Sequence, residues 1–122
     1  MKRRVVVTGM GVISALGLDV QTFWSNIIKG KSGVSLVESF DTTEYETKIA
    51  AEVKDFDPVA YLPKKEVRRM DRFVQFAVAA TAQALQDANF KITEENAHEV
   101  GVLIGSGIGG IKTLEEQART LF

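Results

Sequence analysis

Two short β-branched runs, each closed by glycines and followed by a helix-forming stretch, constrain this chain more than any other feature. Arg4 to Thr8 carries Val5-Val6-Val7 and ends at Gly9 and Gly11, while Val100 to Ser106 carries Val102-Leu103-Ile104 and runs into Gly107-Ile108-Gly109-Gly110. Apolar runs without polar alternation belong to strands covered on both faces, the pattern of a parallel sheet rather than of a half-solvated hairpin. After the first run, Asp19 is a suitable N-cap for a helix to about Lys29, with Val20, Phe23, Trp24, Ile27 and Ile28 spaced by threes and fours and Gly30 as the stop. Trp24 is thereby read as packing. Glu38 to Asp57 is acidic, Asp41-Thr42-Thr43-Glu44 can cap a helical turn, and Thr47 to Phe56 is more strand-like than helical. Pro58 and Pro63 precede a long alanine-rich helix expected from about Lys64 to Asn89; Thr93 to Glu99 forms a short capped turn, and Ile111 to Phe122 opens a last helix. This order predicts an α/β protein with parallel strands.

Composition narrows the function classes. The 122 residues suit a single domain, and 45% hydrophobic with 25% charged residues is globular rather than disordered or fibrous. A formal net charge of −1 gives no whole-molecule attraction to nucleic acid or to an anionic membrane, so electrostatic recognition has to be local. With no cysteine, these residues supply no disulfide, thiolate-bound metal or thiol nucleophile. No stretch approaches the ~20 apolar residues that span a bilayer, and the basic start Met1-Lys2-Arg3-Arg4 leads only into three valines, so it reads as the first strand of a cytoplasmic protein and not as a signal peptide.

Three constellations can carry recognition. Gly9-Met10-Gly11-Val12-Ile13-Ser14 nearly matches the dinucleotide fingerprint, but serine stands at its third glycine and the helix starts only near Asp19, which favours a plain tight turn over a nucleotide site. Gly105-Ser106-Gly107-Ile108-Gly109-Gly110 matches G-x-G-x-x-G fully. On pattern alone, structural punctuation and a binding role stand level there, and Ile108 in an otherwise bare loop suits the wall of an apolar pocket. Lys64 to Arg72 carries five positive and two negative charges. Drawn on one helical wheel, Lys65, Arg68, Arg69 and Arg72 share a face, with Val67, Met70, Val74, Ala77, Val78, Thr81 and Leu85 opposite as the core side. A solvated face is the ordinary fate of such a run, and docking of an acidic partner is the alternative. Nucleic acid fits poorly, because no aromatics interleave with the charges. His98, alone among Glu94, Glu95 and Glu99, is a surface residue rather than a metal ligand. No catalytic constellation is evident.

The start Arg3 to Ser14, the segment Lys65 to Phe73, and Val100 to Gly110 closely resemble the N-terminal portion of the beta-ketoacyl acyl-carrier-protein synthase II family, elongating condensing enzymes of fatty-acid synthesis with a thiolase-like, αβαβα-layered fold. The resemblance runs from Met1 to Phe122. It implies part of the N-terminal half of that fold, no nicotinamide, flavin or metal cofactor, and a homodimer when full length. The family's nucleophilic cysteine, in a Thr-Ala-Cys context, and its catalytic histidines and lysine lie beyond Phe122, so the resemblance implies a chain truncated before the nucleophile and inactive by itself. It also implies that Lys65, Arg68 and Arg69 dock the acidic acyl-carrier protein, with a weaker match at Arg72. Gly107, Ile108 and Gly109 match the loop beside the acyl pocket, where the isoleucine controls access. The competing readings are a non-catalytic relative or carrier-interaction module and, if the resemblance is discounted, a nucleotide-binding oxidoreductase.

Overall fold

The computed structural model describes residues 2–122. Four helices, two very short strands and two 3-10 turns make up its regular structure: α1 (Val20–Ile28), β1 (Ser35–Leu36), β2 (Ile49–Ala50), a turn at Pro58–Ala60, α2 (Lys64–Val67), α3 (Arg72–Asp87), a turn at Ala97–Glu99, and α4 (Ile111–Leu121).

Local signals place α1 as its sequence requires. The Asp19 carboxylate accepts from the Thr22 amide at 2.8 Å and from its hydroxyl at 2.7 Å, relieving free N–H groups of the first turn. At the other end Gly30 takes φ +66°, and the Gly30 and Lys31 amides donate to the Ile27 and Asn26 carbonyls in a Schellman closure. Asn89, at φ 48°, closes α3 the same way, with its own amide and that of Phe90 returning to Gln86 and Leu85. Between α1 and α3 the acidic segment forms a small antiparallel ribbon, Ser35 opposite Ala50 and Leu36 opposite Ile49. Glu52 clamps the ribbon by accepting from the Glu38 and Ser39 amides. Asp41 binds the amide and hydroxyl of Thr43 in a turn, not at the head of a helix.

Two expectations need correction. The helix expected from Lys64 to Asn89 is interrupted: α2 ends at Val67, and Asp71, at φ −60° and ψ 152°, is extended before α3 begins. The Val67 and Met70 carbonyls set free by the break are both bound by the side-chain amide of Gln75, at 3.1 and 3.0 Å. That bond also explains why Gln75, a polar residue, is buried at 8% exposure. The second correction concerns Arg4–Thr8 and Val100–Ser106, expected as parallel strands. Among the described residues neither joins a ladder, and Val5 and Leu103 stand 93% and 96% exposed. A strand of the doubly covered kind needs neighbours at its edges and layers on its faces, and these residues do not supply them to one another.

The same holds for the helices. Trp24, read as packing, is 58% exposed, and the apolar side of α3 drawn from the wheel borders an open groove of about 430 Å³ lined by Val74, Val78, Leu85, Val102 and Ile104. The buried apolar residues among those described are Phe56 and Ala79. Phe56 meets Phe76 edge to face at 5.1 Å and stacks against Tyr61 at 6.2 Å, giving a small aromatic cluster between α3 and the Pro58–Ala60 turn.

What α3 holds firmly is main chain. Gly9 and Gly11 lie so close to it that a Cβ would collide with the carbonyl oxygens of Ala84 and Ala80. Along this approach the Met10 amide donates to Asp87 at 2.9 Å and the Val12 amide to the Gln83 side-chain oxygen at 3.0 Å. The Gln83 amide nitrogen in turn donates to the Leu18 carbonyl at 2.7 Å and the Tyr61 hydroxyl at 3.2 Å. Gln75, Ala79, Gln83 and Asp87 follow one another at four-residue spacing, a row that winds slowly around the helix and forms its packed seam.

Two outcomes follow for stability. Gln83→Leu leaves the Val12 amide and the Leu18 carbonyl without their partner and is expected to cost about 1–3 kcal/mol, read as a lower urea midpoint at unchanged slope for the intact protein. Hydrogen bonds from Thr22, first its backbone amide and then its hydroxyl, hold the Asp19 carboxyl below the usual carboxylate range. Its contribution is therefore complete above the unfolded-state pKa and fades as pH falls through the lower folded value. Asp19→Ala should cost about 1 kcal/mol near neutrality and remove that part of the acid-side loss in denaturation measured against pH.

Candidate functional site

The cationic segment Lys64–Arg69 lies just before α3. Pro63 starts it, its carbonyl accepting from the Glu66 and Val67 amides, and Gln75 fastens its end. Lys64, Lys65, Arg68 and Arg69 are exposed, and among the described residues none of them forms an ion pair or a side-chain hydrogen bond. Arg72, which the wheel grouped with them, is diverted. Its guanidinium donates to the Val53 carbonyl at 2.9 Å and lies over the Phe76 ring at 4.9 Å from the centroid and over Phe56 at 5.8 Å. The break at Asp71 separates the two groups: three matched cations face outward, and the fourth closes the aromatic cluster.

The glycine loop reaches the same end of α3 from the other side. Gly109 takes φ +73°, its amide donates to the Ser106 hydroxyl at 3.0 Å, and a Cβ there would lie 3.8 Å from the Phe73 ring. Gly110 is the N-cap of α4 and lies under the Asp71 carboxylate, so closely that a Cβ there would overlap the carboxylate oxygens. The Thr113 hydroxyl donates to the same carboxylate. Ile108 projects outward at 77% exposure, and Gly107 meets nothing within 4 Å where a side chain would begin. Thus the segment that holds the expected carrier-binding residues Lys65, Arg68 and Arg69 and the loop that holds the expected pocket residues Gly107, Ile108 and Gly109 are both tied to the start of α3, by Gln75 and by Asp71, although they lie some forty positions apart in sequence.

Behind that turn, a groove of about 760 Å³ runs between residues 9–13, α1, α3 and residues 103–106, with Met10, Phe23, Phe73, Phe76 and Ile104 among its walls. Its lining is apolar and aromatic, suited to hydrocarbon or to packed protein and not to phosphate. The near-fingerprint at Gly9–Ser14 forms one wall. Its Met10 and Val12 amides, which a phosphate would require, are already bound by Asp87 and Gln83, and a carboxylate in that position repels an anion. The two leading glycines serve close approach to a helix. His98 lies exposed, with Glu99 at 3.8 Å, and no cluster of three potential metal ligands occurs among the described residues. No helix among them is long and apolar enough to cross a membrane.

Sequence reasoning missed Asp71, Gln75, Gln83 and Asp87 as the residues that position these segments. A signal was available: polar side chains stand at four of the five positions 71, 75, 79, 83 and 87, with Ala79 at the fifth, along one row of an alanine-rich helix.

Against known proteins, residues 2–121 match the family model for the beta-ketoacyl synthase N-terminal domain. The chain is 52% identical over 114 residues to 3-oxoacyl-[acyl-carrier-protein] synthase 2 of Vibrio harveyi, covering 93% of this chain and 28% of that protein. It is 48% identical over 120 residues to the protein of the same name from a Synechocystis species, covering 98% of this chain and 29% of that one. Among solved structures it is similar to the AntDE:AntF complex, a type II PKS acyl-carrier protein with its ketosynthase bound to the hexaketide, at TM-score 0.77 and 25% identity over 98% of this chain and 30% of that one. The chain spans less than a third of the length of these relatives. Its backbone course is that of the corresponding portion of a ketosynthase, the α/β, thiolase-like fold expected from the sequence, with the parallel pairing absent among its own residues. By the match over residues 2–121, the chain belongs to the beta-ketoacyl synthase N-terminal domain family.

Proposed function

We propose that residues 1–122 are the N-terminal part of the N-terminal domain of an elongating 3-oxoacyl-acyl-carrier-protein synthase, contributing carrier docking and one wall of the acyl pocket. The observation that carries this reading is the identity of 52% and 48% to relatives named for that activity, spread over nearly the whole chain. The exposed, unpaired Lys65, Arg68 and Arg69 add a surface suited to an acidic protein.

In the proposed reaction the acyl group passes from the carrier thioester to a cysteine thiolate supplied by residues that follow Phe122, and the carrier's thiol leaves. Malonyl-carrier protein then loses carbon dioxide, and the electron pair left on its α-carbon attacks the acyl-enzyme carbonyl. The cysteine thiolate departs, and the product is a 3-oxoacyl group on the carrier. Thiolate is the fitting nucleophile because it forms near neutral pH and exchanges readily with thioesters. Donors outside this segment would stabilise charge on the malonyl thioester oxygen. With no cysteine and a single, exposed histidine, the 122 residues alone are expected to show no condensing activity.

The segment's own task is electrostatic and steric. Four cations and one carboxylate between Lys64 and Arg69 produce a local positive field on a chain of net charge −1, which steers an acidic carrier and weakens with salt. Reversing charge at Arg68 and Arg69 together is expected to raise KM for acyl-carrier protein roughly tenfold, about 1.4 kcal/mol, with kcat little changed and the salt dependence flattened. Steady-state assay of the intact gene product checks this, and an unchanged KM and salt dependence contradicts the docking role. Ile108→Phe is expected to depress kcat/KM for long acyl groups while sparing short ones; equal effects on both contradict a role in the pocket. Carrier binding without any condensation by the intact product would favour the non-catalytic relative.

A further inference from the structure

The docking segment and the glycine loop are joined by a contact that neither role requires. Asp71 stands where the N-cap of α3 belongs, and its carbonyl accepts from the Val74 and Gln75 amides, but its carboxylate makes no capping bond. The carboxylate turns across to α4 instead. There it accepts from the Thr113 hydroxyl and covers Gly110, at the positive end of the α4 dipole. One residue in sequence before Asp71 is the Met70 carbonyl, held by Gln75, whose amide also holds Val67. Two residues after it is Phe73, whose ring faces Gly109, 3.8 Å from where a Cβ would stand. The stretch from Asp71 to Gln75 therefore holds the cationic segment through Gln75 and the end of the glycine loop through Asp71.

We infer that Asp71 is a positioning residue that ties the carrier-docking segment Lys64–Arg69 to the loop bearing Ile108, so that carrier engagement and acyl access are coupled through the Asp71–Thr113 clasp. The inference rests on the docking and pocket roles proposed above. Physically it needs only that the two segments share a rigid turn. A displacement of Lys64–Arg69 by a bound carrier is transmitted to Gly110 by the Asp71–Thr113 hydrogen bond and by the carboxylate packed over that glycine, without any further contact.

The test is a double-mutant cycle in the intact synthase, with acyl groups delivered either on the carrier or as small acyl-pantetheine thioesters that bypass docking. The readout is the ratio of kcat/KM for the carrier-borne substrate to that for the small thioester. Asp71→Ala and Thr113→Val are each expected to lower this ratio about fivefold or more, and the double variant should be no worse than either single one. Thr113→Ser, which keeps the hydroxyl, should restore the wild-type ratio, and this guards against general misfolding as the cause. Gly110→Ala should behave like Thr113→Val, because its Cβ displaces the same carboxylate. An unchanged ratio in both single variants, additive losses in the double, or a Thr113→Ser variant as poor as Thr113→Val each overturns the inference. The outcomes separate from those of the underlying reading. If charge reversal at Arg68 and Arg69 raises KM while the clasp variants leave the ratio unchanged, docking stands and the coupling alone falls. If charge reversal has no effect, both fall.

Discussion

The hydrogen bonds that side chains of α3 and of its N-cap residue make to other segments hold the stretches that carry the candidate functional residues. Gln83 and Asp87 take the amides of Val12 and Met10, Gln75 takes the carbonyls of Val67 and Met70, and Asp71 reaches the head of α4. Main-chain groups that leave water need partners, and an unpaired one costs more than a made bond returns. The alanines of α3 matter for the same reason: Ala80, Ala84 and Ala88 let the Gly9–Gly11 backbone lie directly on the helix. A helix with small residues and a few well-placed amides thereby organises segments that have little regular structure themselves.

Around that frame the apolar surface is largely uncovered. The accessible area of 10450 Å² stands against about 6,500 Å² for a compact monomer of this mass. An excess of ~4,000 Å² is the scale of an obligate interface rather than of a transient one. The exposed valines of residues 5–7, Leu103, Trp24 and the apolar side of α3 are therefore best understood as faces meant for further layers, and the ketosynthases that share this backbone course are more than three times as long. A layered α/β reading and an unpaired sheet are then compatible: the pattern in the sequence is that of doubly covered strands, and the described residues do not pair them with one another.

That distinction also sets what was legible. Signals read by a residue's own neighbours were clear, as with Asp19 and Gly30 around α1, Asn89 after α3, and the onset of α4 at Ile111. Periodicity also found the apolar sides of α1 and α3, but it reports what a face is suited to contact and is silent on where the contact comes from. The break at Asp71 escaped it because Lys64 to Asp87 holds no glycine or proline. The interruption is stabilised by side-chain bonds that periodicity does not register, from nearby Gln75 to the freed carbonyls and from Thr113, 42 positions away, to the carboxylate. Of the candidate site, Lys65, Arg68 and Arg69 and the glycine loop were visible as motifs. Their common tie to the start of α3 was not, since it depends on that same break and on the Asp71–Thr113 hydrogen bond.

The central claim is that the segment before α3 is where an acyl-carrier protein engages. Backbone hydrogen exchange of the intact gene product, with and without acyl-carrier protein, tests this most directly, because it reads contact segment by segment and needs no mutation. The account predicts added protection at residues 64–70, with a smaller change at residues 105–110. Protection confined to other segments, with residues 64–70 exchanging at the same rate in both samples, would contradict it.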